Sequence, residues 1–91
     1  MRRVELLKSA ARELRGLEGS VRARVLVKIR ALGSDPRPPG CRSVKGLPGY
    51  FRIRVGDYRV VYKVEETAVL IAKIGHRREV YERLAERLRS L

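Results

Sequence analysis

Between Tyr50 and Val64 apolar and charged residues alternate with a period of two, the spacing of a β-strand whose side chains point to opposite faces. Phe51, Ile53 and Val55 fall on one side, and Tyr50, Arg52 and Arg54 on the other. Gly56-Asp57 interrupts the alternation with a two-residue turn that places glycine where a positive φ is needed, so the segment reads as a β-hairpin. The turn sets the register: Val55 opposite Tyr58, Arg54 opposite Arg59, Ile53 opposite Val60, Arg52 opposite Val61, Phe51 opposite Tyr62 and Tyr50 opposite Lys63. One face is then apolar and aromatic, with Tyr58 and Tyr62 in the core. The other carries Tyr50, Arg52, Arg54, Arg59 and Lys63. Like charges set directly opposite each other destabilise a sheet. An Arg54/Arg59 pair therefore predicts an anion over that face, and a polyphosphate backbone is the obvious one.

Before the hairpin the period changes to that of a helix. Val4 to Leu7 reads as a short edge strand. Ser9 is placed to cap a helix that turns Ala10, Leu14 and Leu17 toward a core and breaks between Gly16 and Gly19. Ser20 is placed to cap a second helix, with Val21, Val25, Ile29 and Leu32 on one face and Gly33 ending it. So tight a connection predicts an antiparallel helix pair, with Arg12, Arg15, Arg22, Arg24 and Arg30 as solvated surface. From Ser34 to Pro48 the prolines and glycines sustain neither period, and a loop of this length in so small a domain points to function. After the hairpin, Glu65-Glu66 turns the chain into Ala68–Ile74, apolar on both faces and so expected to be covered on both. Val80 or Tyr81, Leu84, Leu88 and Leu91 then recur at helical spacing over Arg78–Leu91, a stripe that packs on this domain or on a partner. With no repeat and no linker, residues 1–91 form one domain of α+β class: a small antiparallel β-sheet with an N-terminal helical hairpin and a C-terminal helix.

Composition narrows the partner. A net charge of +12 over 91 residues favours nucleic acid, then an acidic protein, then an anionic membrane. The charge is clustered: from Pro36 to Lys63 seven cations face one anion, Asp57. No apolar run approaches the length that crosses a membrane, and the charged start does not read as a secretory leader, so a cytoplasmic or nucleoid-associated protein is expected. Cys41 is alone, which excludes an internal disulfide and a cysteine metal cluster, and a single histidine, His76, gives little to activate a thiol.

The block Gly46 to Tyr62 (Gly-Leu-Pro-Gly-Tyr-Phe-Arg-Ile-Arg-Val-Gly-Asp-Tyr-Arg-Val-Val-Tyr), followed by an apolar strand and Gly75-His76-Arg77-Arg78-Glu79-Val80-Tyr81, resembles the RelE/ParE family of type II toxin–antitoxin toxins, on the RelE side. The resemblance spans almost the whole chain. It implies an endoribonuclease that cuts messenger RNA in the ribosomal A site, using the RNA's own 2′-hydroxyl and no metal or other cofactor. It also implies an acidic RelB-like antitoxin that wraps the toxin in a hetero-oligomer. The family's catalytic cations fall on Arg52, Arg54, Arg59 and Arg77 and its C-terminal tyrosine on Tyr81, with Arg59 and Arg77 clamping the phosphate and Tyr81 stacking on a base. Lys45, Tyr50, Lys63 and Arg78 are further candidates for holding RNA, Tyr50 alternatively belonging to the sheet rim.

One departure stands out, because some members carry lysines where this chain has Arg52 and Arg54. Arginine stays protonated at any working pH and is a poor general base. That leaves His76 either as a proton carrier or as an exposed residue at a strand end that positions Arg77. Glu79 is read as the partner of a neighbouring arginine. Two other readings stay open at this point: a ParE-like toxin that acts on DNA gyrase, and a non-catalytic RNA- or ribosome-binding module.

Overall fold

The expected hairpin is present with the expected register. In the computed structural model, which describes all 91 residues, strands β3 (Tyr50–Val55) and β4 (Tyr58–Val64) pair antiparallel, with Arg54 opposite Arg59 and Tyr50 opposite Lys63. Gly56 takes φ 60° at the turn, a conformation that costs a residue with a Cβ but not glycine. The rest of the sheet grows outward from this hairpin. Strands β1 (Arg3–Leu6), β2 (Arg42–Ser43) and β5 (Ala68–His76) complete an order β1-β5-β4-β3-β2. Four strands are antiparallel as expected, but β1 lies parallel to β5, so the sheet is mixed. The two helices α1 (Lys8–Arg15) and α2 (Gly19–Ala31) lie between β1 and β2 in the chain, and carrying the chain back over the sheet is what permits the parallel pairing.

The helix caps differ from expectation. Helix α1 starts at Lys8, one residue before Ser9, and no side chain caps it. Helix α2 is capped by Glu18 and not by Ser20. The Glu18 carboxylate accepts the Ser20 hydroxyl at 2.5 Å and the amides of Ser20 and Val21 at 3.1 and 3.3 Å. Those bonds, the hydroxyl first, hold Glu18 below the usual carboxylate range.

Two apolar clusters form, one on each face of the sheet. On the helical face Ala10, Val25, Ile29 and Leu32 pack against Ile53, Val60, Tyr62, Val69, Ile71 and Ile74. Tyr62 is fully buried as expected, whereas Tyr58 is only half-buried, because it stands at the turn end of the hairpin against His76. Ile71 and Ile74 share this face although strict alternation would separate them. A bulge opposite Val61 and Tyr62 inserts one residue and restores the phase. On the opposite face Val61, Val80 and Leu84 form a smaller cluster with Val44, Leu47, Tyr50 and Leu88 around it, so β5 is covered on both sides.

The C-terminal stripe is therefore largely used within the domain. It is not one helix: a 3₁₀ turn at Arg77–Tyr81 is followed by α3 (Leu84–Arg89), with Arg83 between them at φ 56°. Val80 and Leu84 are buried and only Leu91 stands free. Gly75 explains the docking of the turn, since a Cβ there would lie 3.3 Å from the Val80 Cα. The long loop is tied down as well. Tyr62 donates its hydroxyl to the Pro36 carbonyl at 2.7 Å, and the Arg37 guanidinium sits 5.1 Å from the centre of the Phe51 ring.

Candidate functional site: an arginine basin on the sheet

On the cationic face the strand register sets like charges against one another twice. Arg54 is directly opposite Arg59, and Arg42 on β2 is directly opposite Arg52. The row through Arg54 and Arg59 continues to Gly75, which has no side chain, and there the 3₁₀ turn descends onto the sheet and brings in Arg77, Arg78 and Tyr81. The result is an open basin of about 490 Å³ lined by Arg42, Arg52, Arg54, Arg59, Arg77 and Arg78, with Tyr81 and Gly40 completing the wall. The chain's ion pairs are Arg3–Glu5 and Arg87–Glu13, and neither involves the basin.

Within the basin Arg59 is the most constrained cation. Its Nη1 donates to the carbonyls of Gly56 and Tyr58, at 3.1 and 3.0 Å, which pins the guanidinium to the hairpin turn. Partial burial and then the charges of Arg54, Arg52 and Arg77 push its pKa below the ordinary arginine value, with Tyr81 acting in the opposite direction. Arg77 is set by its backbone. Its amide donates to the Asp57 carbonyl at 2.8 Å, and its φ of 23° is a strained value for a residue with a Cβ. Strain of this kind at a cationic wall fits a residue kept for its side chain. Tyr81 is 40% exposed, which leaves its ring free to stack on a ligand.

The structure separates the remaining candidates from this basin. His76 pairs with Tyr58 across the sheet and so lies on the helical side of the strand end, its ring edge-on to Tyr58 with centroids 5.3 Å apart. It lines a neighbouring depression with Arg77, Arg78 and Glu79, in which Glu79 makes no ion pair. Tyr50 and Lys63 form a cation–π pair, 5.7 Å from ammonium to ring centroid, at the other end of the hairpin. Lys45 lies in a groove that adjoins the basin through Arg52 and Tyr81. Arg42, by contrast, is a basin residue that the hairpin pattern alone did not reveal. Its only sequence signal was membership of the basic loop, because a two-residue strand leaves no periodicity to read. Taken together the site is a multidentate anion cradle with one aromatic wall. Chemically it can hold a phosphodiester by paired guanidinium forks and spread the charge of a phosphorane, but it contains neither imidazole nor carboxylate.

Comparison with known proteins agrees with this picture. Residues 4–81 match the family described as the ParE toxin of type II toxin–antitoxin systems, parDE. The chain is 31% identical over 83 residues to Toxin RelG of Mycobacterium tuberculosis, covering 88% of this chain and 95% of that one. Among solved structures, the archaeal RelE–RelB complex from Pyrococcus horikoshii superposes with a TM-score of 0.74 at 27% identity, over 85% of this chain and 96% of that one. The isolated Escherichia coli RelE toxin, at 24% identity, shares the fold with a TM-score of 0.76, over 97% of this chain and 99% of that one. Sequence block, sheet register, basin and relatives converge, and the chain belongs to the RelE/ParE family of type II toxin–antitoxin toxins.

Proposed function

We propose that this toxin is a ribosome-dependent endoribonuclease that cuts messenger RNA in the A site. The observation that carries the reading is the pair of like-charge cross-strand contacts, Arg42/Arg52 and Arg54/Arg59, facing one basin with no carboxylate in its wall. Such an arrangement weakens the free sheet and is relieved by a polyanion. In the reaction the 2′-oxygen attacks the adjacent phosphorus as its proton leaves, and the bond from phosphorus to the 5′-oxygen breaks as that oxygen takes up a proton. Arg59, already pinned to the turn, and Arg77, held by Asp57, grip the non-bridging oxygens; Arg52 and Arg54 spread the added charge. The chain's contribution is thus electrostatic positioning, and no metal enters the proposed steps. Tyr81 holds a base of the codon by stacking.

The same charge supports an acidic RelB-like antitoxin as cognate partner, in a hetero-oligomer whose formation covers the basin, and a cytoplasmic site of action beside the ribosome. No helix is long and apolar enough to cross a membrane. Because the matched family carries the ParE description, gyrase inhibition is the second reading.

Primer extension on translating ribosomes separates the two, with gyrase-dependent DNA breaks measured in parallel. Codon-phased cuts that fall 10²–10³-fold in rate for a folded Arg59→Ala protein are expected, the size of one lost transition-state contact. Wild-type cutting by Arg59→Ala, or DNA breaks without RNA cuts, would overturn the proposal.

A further inference from the structure

Six guanidinium groups converge on the basin, and no carboxylate lies in its wall to balance them. The phosphodiester cut in the proposed reaction carries a single negative charge, and the next phosphates of an RNA strand are set off from it by whole riboses. One diester therefore leaves most of the basin's charge unmatched. The two cross-strand contacts, Arg42/Arg52 and Arg54/Arg59, stay repulsive wherever no anion reaches both. A compact anion that delivers several charges into about 490 Å³ answers this mismatch more fully than a single diester does.

A linear triphosphate is such an anion. Its phosphorus atoms are joined through single oxygens, and near neutral pH it brings roughly four negative charges and a row of acceptor oxygens. Every cation in the wall is an arginine, the residue whose planar fork takes two oxygens at once. Arg59 is already oriented for this role. Its Nη1 donates to the Gly56 and Tyr58 carbonyls, so the hydrogens on its Nε and Nη2 remain for a ligand. Arg77 is fixed at its backbone by the Asp57 carbonyl, so two of the cations are partly ordered before a ligand arrives. We infer that the basin is a binding site for the triphosphate group, of inorganic tripolyphosphate or of a nucleoside triphosphate, and that this small anion competes with RNA for the toxin. Because the wall has no carboxylate to share a divalent cation with the phosphates, the site takes the magnesium-free form.

The competition rests on the ribonuclease reading, in which the same basin grips RNA, and the test lets the two fail separately. Isothermal titration calorimetry of the toxin at about 0.1 M salt compares tripolyphosphate, ATP, AMP and orthophosphate. Tripolyphosphate and ATP are expected to bind alike, each on the order of 10²-fold tighter than orthophosphate or AMP. Magnesium in excess of the ligand is expected to weaken both by about 10-fold or more, because it neutralises the oxygens the arginines need. Arg42→Ala and Arg59→Ala are each expected to cost about 10-fold in affinity. The double variant Arg12→Ala/Arg30→Ala, which removes two exposed helix cations outside the basin, is expected to change it by less than about 2-fold. Tripolyphosphate is also expected to displace a labelled oligoribonucleotide made uncleavable by a 2′-deoxyribose at the scissile position, read by fluorescence anisotropy. Equal affinity for ATP and AMP, or ATP binding without tripolyphosphate binding, would overturn the inference. So would a loss in Arg12→Ala/Arg30→Ala as large as in Arg59→Ala, or an oligoribonucleotide that stays bound under saturating tripolyphosphate. No ribosome enters these measurements, so the ribonuclease reading is judged on its own by whether codon-phased cuts occur.

Discussion

Glu13 and Arg87 lie 74 residues apart, yet they join helix α1, strand β5 and helix α3 at one point. Strand β1 ends at Leu6, so beyond Ile71 the outer edge of β5 has no strand beside it. The ion pair takes its place: Glu13 Oε1 accepts the Ile74 amide at 3.0 Å, and Arg87 Nη1 donates to the Ala72 carbonyl at 3.0 Å. The two side chains also hold each other in parallel, Nη1 to Oε1 at 2.9 Å and Nη2 to Oε2 at 2.8 Å. Glu13→Ala therefore removes the acceptor for a backbone amide and the partner of a guanidinium in one step. A wholly buried pair broken in this way costs about 3–5 kcal/mol, and an exposed one about 0–1 kcal/mol. With side chains 24% and 26% exposed, solvent screening reduces the cost to about 2 kcal/mol. For a domain of this size that is a fall in Tm of roughly 8–16 °C. Glu13→Gln keeps the acceptor for Ile74 and loses the charge, and is expected to cost about half as much. The assay is a double-mutant cycle of Glu13→Ala and Arg87→Met by urea unfolding, with hydrogen exchange at Ala72–Ile74 as the local readout. A coupling of about 1–2 kcal/mol is expected for side chains in contact. Additive effects, or unchanged protection of the Ile74 amide in Glu13→Ala, would refute the proposed edge closure.

Three further outcomes follow from the site and its surroundings. Arg42→Ala is expected to slow cleavage by about 10-fold or more without lowering Tm, since it removes one phosphate ligand and also one like-charge cross-strand contact; a destabilised protein would show that Arg42 is structural. Tyr81→Phe is expected to keep most activity and Tyr81→Ala to lose roughly 1–3 kcal/mol of stacking, measured as cleavage rate; equal loss in both would assign chemistry to the hydroxyl. Lys73 is buried, with its ammonium donating to the Glu82 carbonyl, and burial first, then the charge of Arg87, depress its pKa, while Glu13 and Glu82 oppose the shift. Between that lowered value and the ordinary lysine value only the unfolded chain holds the proton, so wild type should gain stability relative to Lys73→Met as pH rises through the alkaline range; a flat or falling difference in melts at pH 7.5 to 10.5 would contradict it.

What the residues determined by themselves was local. The hairpin register followed from strict alternation and a two-residue turn, because a slip by one position would exchange the apolar face of Ile53, Val55, Val60 and Tyr62 for the arginine face. Helix α2 was legible for the same reason, in the spacing of Val25, Ile29 and Leu32. The tertiary structure alone decided the rest, and each case is a contact between distant segments. Arg42 joined the basin because a two-residue strand docked beside Arg52. His76 was placed against Tyr58 and off the basin by the pairing of β4 with β5. The bulge in β5, invisible in an apolar run, put Ile71 and Ile74 in one core. The C-terminal segment is divided at Arg83 into a 3₁₀ turn and α3, a break the apolar spacing does not announce, because Val80 and Leu84 stand four residues apart and one continuous helix would also put them on a single face. Short-range periodicity encodes which face a side chain takes; which faces meet depends on closing long loops, and that is settled only when the whole core packs.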